Sequence, residues 1–433
     1  MSSKAAVISG GEIAMVPKLR FPEFRAAGVW KPISLKNAST PVIEQVGQRM
    51  LTPVSISAGI GFVRQSEKFG RDISGNQYQL YTLVRDGDFV FNKGNSLKFP
   101  QGCIYLLDGW GEVAAPNVFI CFRLKDGYSN AFFQNCFEQN QHGRQLQKDI
   151  TSGARSNGLL NISKETFFGV EILTPSLSEQ QKIADCLTSA DELITAQTEK
   201  VEALKAHKKG LMQQLFPRPE RTENGKKVPP ETNPRLRFPE FEGTGDWEYE
   251  ELAKFIEEFR EKSTVQDEFE VMTSARSGLV RQRDYYDNDR ITERDNIGFN
   301  VIPPNYLTYR SRSDDRRFYF NENNSGIKGI VSVYYPVFRF VKGSNKFLIE
   351  LLSSFAQIVG KYSVGTSQTV LSLNQLKRIS LPTPIKEEQN RIADCLTSLD
   401  DLIAAQSQKL DALKAHKKGL MQQLFSSHRD VEA

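Results

Sequence analysis

No run of 18 or more apolar residues occurs in this 433-residue chain, so no segment is expected to cross a membrane as a helix. The opening stretch, MSSKAAVISGGEIAMV, carries one lysine and no sustained apolar core, which is not the pattern of a secretory leader, and the expected location is cytoplasmic. Cysteine and histidine are scarce, at five and four residues. No CxxC, Cys/His cluster or HExxH pattern is present, so no metal is expected on the chain. Cys186 and Cys395 stand at matching places, and reduced thiols flanking a helix core are preferred over a disulfide there. His207 and His416 sit beside lysines and read as surface positions, while His142 and His428 have no partner in view. An excess of one charge is also missing. The net charge is +4, which permits nucleic-acid binding without demanding it.

Catalytic equipment is absent too. There is no GxxxxGK[ST] loop to cradle a nucleotide and no glycine-rich FxGxG-type cofactor turn. Ile302-Pro303-Pro304-Asn305-Tyr306 superficially matches the NPPY motif of amino-methyltransferases, but its asparagine follows the prolines, and a proline turn entering a strand is the better reading.

What remains is a globular composition, 39% hydrophobic and 25% charged, of a length that suits two domains. The chain is also written twice. Pro17-Lys18-Leu19-Arg20-Phe21-Pro22-Glu23-Phe24 recurs as Pro234-Arg235-Leu236-Arg237-Phe238-Pro239-Glu240-Phe241, an offset of 217 that also carries Trp30 onto Trp247 and Val63-Arg64-Gln65 onto Val280-Arg281-Gln282. Ile183 to Ser189 recurs as Ile392 to Ser398, and Ala206 to Phe216 recurs unchanged as Ala415 to Phe425, at an offset of 209. Matching ends around dissimilar middles point to one scaffold carrying two different readers.

Two segments carry a seam of period 3.5. The first is Ile183, Leu187, Ala190, Ile194, Val201, Leu204, Leu211 and Leu215; the second is Ile392, Leu396, Leu399, Ile403, Leu410, Leu413, Leu420 and Leu424. Gln197, Lys208, Gln406 and Lys417 interrupt them at equivalent places. Sustained heptads predict coiled-coil helices, with an antiparallel pair as the natural burial and packing of each helix on its own globule as the alternative. Thr174-Pro175 and Thr383-Pro384 are the expected helix starts. Gly210 and Gly419 lie inside the helices, where close helix approach is one explanation.

The expected organisation is an N-terminal tail (1–16), a first globule (17–175), a first spacer helix (176–217), a polar linker (218–233), a second globule (234–384), a second spacer helix (385–425) and a C-terminal tail (426–433). Each globule reads as α+β. Strands are expected at Gln79–Val84, Asp88–Phe91, Asn117–Phe122, Tyr306–Tyr309 and Val331–Phe340, and helices at Asn130–Gln147 and Phe347–Ile358. After equivalent strands, Lys93-Gly94-Asn95-Ser96 aligns with Arg310-Ser311-Arg312-Ser313. Basic and hydroxyl groups on such loops suit phosphate contact or base-edge readout. Arg276 to Arg317 holds nine arginines against seven acidic residues, so a solvated mixed-charge surface stays open as the alternative.

Glu179-Gln180-Gln181-Lys182-Ile183-Ala184, Lys386 to Ala393, and the two KAHKKGLMQQLF repeats, each following a variable globule, resemble Type I restriction specificity subunits over essentially the whole chain. The resemblance implies two target recognition domains joined by a long antiparallel coiled coil acting as a ruler. It implies a bipartite double-stranded DNA site, two methyltransferase subunits that bring S-adenosylmethionine and methylate adenine at N6, and motor–nuclease subunits that bring ATP and Mg, with no cofactor and no catalysis on this chain. A spacer of roughly 50 Å would limit the gap to about 15 base pairs. Under this reading Lys93, Asn95, Ser96, Arg310, Arg312, Ser313, Arg316 and Arg317 are candidates for DNA contact. Arg64, Arg281, Lys208, Lys209, Lys417 and Lys418, repeated in both halves, are candidates for scaffold or partner contact. A stand-alone two-domain DNA-binding regulator is the competing expectation.

Overall fold

A computed structural model of the chain describes residues 16–94, 99–150, 160–276, 278–285 and 295–425. They form two compact units: one holds the described residues up to Gln197 together with those from Lys409 onward, and the other runs Thr198–Gln408. The two long helices, Leu177–Leu215 and Lys386–Leu424, therefore each begin in one unit and end in the other.

Each unit repeats one topology. In the first, strands Ser39–Pro41, Ile120–Leu124, Asp88–Asn92 and Cys103–Leu106 make an antiparallel sheet in that spatial order. A second sheet runs Gly61–Arg64, Thr52–Ser57, Glu112–Ala115, Thr82–Arg85, with one parallel pairing, Thr52–Ser57 on Glu112–Ala115. The second unit builds the same two sheets. One runs Ile256–Phe259, Val337–Phe340, Leu307–Tyr309, Phe320–Glu322; the other runs Gly278–Arg281, Glu270–Ala275, Gly329–Val331, Asn300–Ile302, again with its single parallel pair at Glu270–Ala275 on Gly329–Val331. Short ribbons, Lys31–Ser34 with Glu171–Thr174 and Glu248–Glu251 with Ser380–Thr383, lead into the long helices.

The N-terminal repeat has a structural purpose that the spacing alone did not reveal. Arg20 donates from Nε and Nη2 to the two carboxylate oxygens of Glu179, both at 2.7 Å, and the Trp30 indole N–H donates to the same carboxylate at 3.2 Å. Arg237 grips Glu388 at 2.8 and 2.7 Å, and Trp247 donates to it at 3.3 Å. Both glutamates are about as buried as the apolar core around them. A buried carboxylate is tolerated because the guanidinium fork and an indole together satisfy its lone pairs.

The ends of the helices complete each unit. In the first, Leu424 and Phe425 join the cluster of Trp30, Phe132, Ile183 and Leu187, with the Phe425 ring edge-on to Trp30 at 6.5 Å, and Leu19 N–H donates to the Gln423 carbonyl at 2.9 Å. In the second, Leu215 and Phe216 join Trp247, Phe347, Ile392 and Leu396, with Phe216 edge-on to Trp247 at 6.3 Å, and Leu236 N–H donates to the Gln214 carbonyl at 3.0 Å. A buried phenylalanine contributes about 2 kcal/mol from area alone, so each tip anchors its helix end.

All the predicted seam residues are buried or half-buried: Ile183, Leu187, Ile194, Val201, Leu204, Leu211 and Leu215 on the first helix, and Ile392, Leu396, Leu399, Ile403, Leu410, Leu413, Leu420 and Leu424 on the second. Off the seam, Leu193 and Leu402 are exposed. Inside each unit the two helices run antiparallel: Lys417 Nζ meets Asp191 at 2.6 Å in the first, and Lys208 Nζ meets Asp400 at 2.8 Å in the second. Each helix start also packs on its own globule, so the two burial schemes coexist.

Several expectations are corrected. Thr174 and Thr383 are not caps. They end strands, and their hydroxyls donate back to the Ile172 and Leu381 carbonyls, while Ser176 Oγ accepts from Glu179 N–H as the cap of the first helix. Close helix approach does not explain Gly210 or Gly419, since a Cβ at either would meet no atom within 4 Å among the described residues. The helix expected at Asn130–Gln147 is two, Asn130–Glu138 and Gln141–Leu146, broken where Asn140 takes φ 57°. Phe347–Ile358 likewise splits into Asn345–Ser354 and Ala356–Lys361. Gln79–Leu80 closes a 3-10 turn before strand Thr82–Arg85, and Val331–Phe340 is two strands separated by a turn. The polar linker is not plain coil: Asn224 and Gly225, at φ 49° and 75°, turn a hairpin between Arg221–Glu223 and Lys226–Val228, the conformation for which Asn-Gly is suited.

Candidate nucleic-acid interface

In the second unit, the residues after strand Leu307–Tyr309 alternate strictly. Tyr309, Ser311 and Ser313 are buried, and Arg310 and Arg312 are exposed. Period-two alternation puts both guanidinium groups on the outer face. The inward groups pin the segment. Tyr309 Oη donates to the Leu371 carbonyl at 2.9 Å, and Arg312–Ser313 pairs with Thr369–Val370 as a short antiparallel ribbon. Ser313 Oγ donates to Asp315 at 2.8 Å and accepts from Arg317 N–H, and its carbonyl takes the Thr369 hydroxyl. Ser313 is thus a structural hinge pin, with its hydroxyl already used.

Arg276, Arg310, Arg312 and Arg317, with Asp314, Asp315 and Tyr319, line a cleft of about 440 Å³, so its cations outnumber its carboxylates four to two. Hydrogen bonds from the Ser313 hydroxyl and Arg317 N–H hold Asp315 below the usual carboxylate range, so it is charged, and Arg276 lies 3.8 Å from it. Among the described residues no carboxylate comes within 4 Å of Arg310, Arg312 or Arg316, and all three are exposed. Two guanidinium groups rest on aromatic faces: Arg312 lies 4.1 Å from the Tyr334 ring centre and Arg276 5.4 Å from that of Tyr319. Cation–π contact fixes a guanidinium plane while its N–H edge stays available. The cleft is therefore suited to anionic or acceptor-rich ligands of some size. Sequence reasoning missed Arg276 and Tyr319 as parts of it and Tyr334 as the support of Arg312, although the alternation Tyr-Arg-Ser-Arg-Ser was readable.

The matching place in the first unit differs. Lys93 follows strand Asp88–Asn92 and is half-buried, and its carbonyl accepts from Leu160 N–H at 2.9 Å; Asn95 and Ser96 lie outside the described residues. Three arginines of this unit are committed to carboxylates: Arg49 and Arg85 to Glu44, each at 2.7 Å, and Arg123 to buried Asp88 at 2.6 Å. The Arg85 and then Arg49 hydrogen bonds bring the Glu44 carboxyl down to about 2. Met50, Ile60 and Trp110 are exposed here instead.

The repeated basic residues separate into two groups. Lys208 is held by Glu350 and Asp400, both at 2.8 Å, and Lys417 by Asp191, each lysine side chain only 17% exposed. Burial pushes the Lys208 ammonium down, but the two carboxylates outweigh it and its pKa ends above the ordinary value. Lys209 and Lys418 are exposed, as are Arg64 and Arg281 at the ends of equivalent hairpin strands. Cys186 and Cys395 are free and half-buried, His207 and His416 are exposed, and no group of three or more metal-ligating side chains exists among the described residues. No helix among them is long and apolar enough to cross a membrane.

The profile of the Type I restriction modification DNA specificity domain matches residues 70–206 and again 248–415. A curated relative, the Type I restriction enzyme MjaVIII specificity subunit of Methanocaldococcus jannaschii, is 27% identical over 312 residues, 64% of this chain and 66% of its own length. A solved S subunit of a Type I restriction–modification system from M. genitalium shares the fold with a TM-score of 0.53 at 13% identity, over 95% of this chain and all of that one. A chain from a structure on complex assembly and conformational transition of the type I restriction–modification system gives a TM-score of 0.51 at 13% identity, over 92% of this chain and 98% of that one.

Proposed function

The chain belongs to the Type I restriction modification DNA specificity family, and from that premise we propose that it reads a bipartite, asymmetric site on double-stranded DNA, one unit per half-site. The observation that carries this reading is a duplicated base under dissimilar tips. The Arg–Glu–Trp lock and the anchored helix end occur in both units, whereas the position of Arg310 in the arginine cleft of the second is taken in the first by a half-buried lysine, Lys93. A shared base suits two identical partners, and unlike tips suit two different half-sites. In this reading the partners are two methyltransferase subunits carrying S-adenosylmethionine for N6 methylation of adenine, and motor–nuclease subunits carrying ATP and Mg. Their contacts fall on the exposed repeated residues Arg64, Arg281, Lys209 and Lys418, while Lys208 and Lys417 brace the scaffold. The chain itself supplies recognition and no catalysis. The target adenine must leave the base stack, and the methyltransferase holds it.

Co-expression with the methyltransferase subunit, followed by mapping of N6-methyladenine, tests this. The expected result is one motif of two short blocks around a fixed gap, and exchanging the second globule (234–384) for that of another specificity subunit changes one block alone. Absence of any motif, or a change of both blocks from that exchange, overturns the reading in favour of the stand-alone regulator.

A further inference from the structure

We infer that the tip of the second unit reads a guanine, through Arg312 braced on Tyr334. The inference rests on the reading that this tip faces a half-site and goes further by naming the base. Arg312 projects from a two-residue strand, Arg312–Ser313, whose backbone is fixed by pairing to Thr369–Val370 and by the Ser313 hydroxyl beneath it. The 4.1 Å stack on Tyr334 fixes the plane of its guanidinium, and the Tyr334 ring is itself more than half exposed, so the pair stands out from the surface. Two adjacent donors of a planar fork match the O6 and N7 acceptors on the major-groove edge of guanine, and no other base offers two acceptors at that spacing.

The surroundings favour a base edge over the phosphate backbone for this residue. A phosphate contact needs charge and tolerates a mobile side chain, and Arg310 and Arg316, exposed on the same segment and stacked on no aromatic ring among the described residues, meet that need. A braced, planar arginine between them loses little freedom on binding. Arg276 on Tyr319 repeats the arrangement across the cleft, with its charge shared with Asp315. Tyr334 is a positioning residue: it acts through Arg312.

The test is selection from a random-sequence duplex pool by the full chain assembled with its methyltransferase subunits. The wild-type complex is expected to return two blocks, one containing a G·C pair. Arg312→Lys keeps the charge and removes the fork, so it should lower the preference for guanine at that one position roughly tenfold or more, with the other block unchanged. Tyr334→Phe should leave the motif intact, and Tyr334→Ala should loosen the same position as Arg312→Lys. An unchanged motif from Arg312→Lys assigns the residue to phosphate and overturns the inference, as does a two-block motif with no G·C pair, while the half-site reading survives either. Absence of a two-block motif overturns both.

Discussion

The bases of the two units match residue for residue, and their tips do not. At the base, each glutamate at the start of a long helix receives one arginine fork and one indole, and each helix end delivers a phenylalanine onto that same tryptophan. After the matching strands, the first unit has a half-buried lysine, Lys93, and the second has the exposed Arg310 and Arg312. In the lock the repeated groups are buried and mutually dependent, and changing one member of such a set strands the others. Exposed positions carry no such penalty.

The largest effect that would break this symmetry comes from the lock. Glu388→Ala leaves the Arg237 charge without its carboxylate, with only the Gly245 carbonyl and Thr244 hydroxyl as acceptors among the described residues, and the buried Trp247 N–H without its partner, and should cost about 3 kcal/mol. Calorimetry should then show the second unit melting early while the first holds its midpoint, and Glu179→Ala should give the reverse. Loss of both units together from either substitution would mean that the matched bases are not independent.

The next effect depends on pH. His142 lies wholly buried between Phe91 and Phe137, where the second unit has buried Val359 on the corresponding short helix. Burial pushes the imidazole down to about 4, against an opposing pull from the Gly102 backbone, and among the described residues no hydrogen bond of ordinary geometry reaches either ring nitrogen. An unfolded histidine titrates near 6.5, so between these values the unfolded chain binds the extra proton. Stability of the first unit is therefore full above about pH 6.5 and falls with acid, by about 2 kcal/mol at pH 5. Denaturation at pH 7 and pH 5 should show that loss, and His142→Val should abolish it. An acid effect of equal size in the second unit would assign it elsewhere.

The smallest test compares the two seam lysines. Lys208 has two carboxylates and Lys417 has one. Lys208→Ala should cost about 1 kcal/mol and Lys417→Ala about half that, read as shifts in the melting midpoint of the unit concerned.

Much of the base is legible in the amino-acid sequence. The heptads, the duplicated ends and the α+β globules follow from local periodicity and from repetition, and both signals are contiguous in the chain. The lock was half legible: Arg20, Trp30 and Glu179 each recur, but at offsets of 217 and 209, and nothing local says that they meet. The helix starts were misread because Thr-Pro satisfies the capping pattern, while the strand before it claims the threonine. The cleft escaped for a different reason. Arg310, Arg312 and Arg317 come from one segment, but Arg276 arrives from a distant strand end and Tyr334 from a distant turn, and the stacks of Arg276 on Tyr319 and of Arg312 on Tyr334 leave no pattern in the order of residues.

The way each unit is closed bears on the order in which the protein is made. The second unit is one continuous stretch, Thr198–Gln408, so it has all its parts once that stretch has left the ribosome. The first needs Leu424 and Phe425 against Trp30 and the Leu19–Gln423 bond, partners about 400 residues apart. The half that is synthesised first is thus the last to be finished. Until the final helix emerges it waits with an open apolar socket, and during that interval a chaperone would be expected to find the nascent chain.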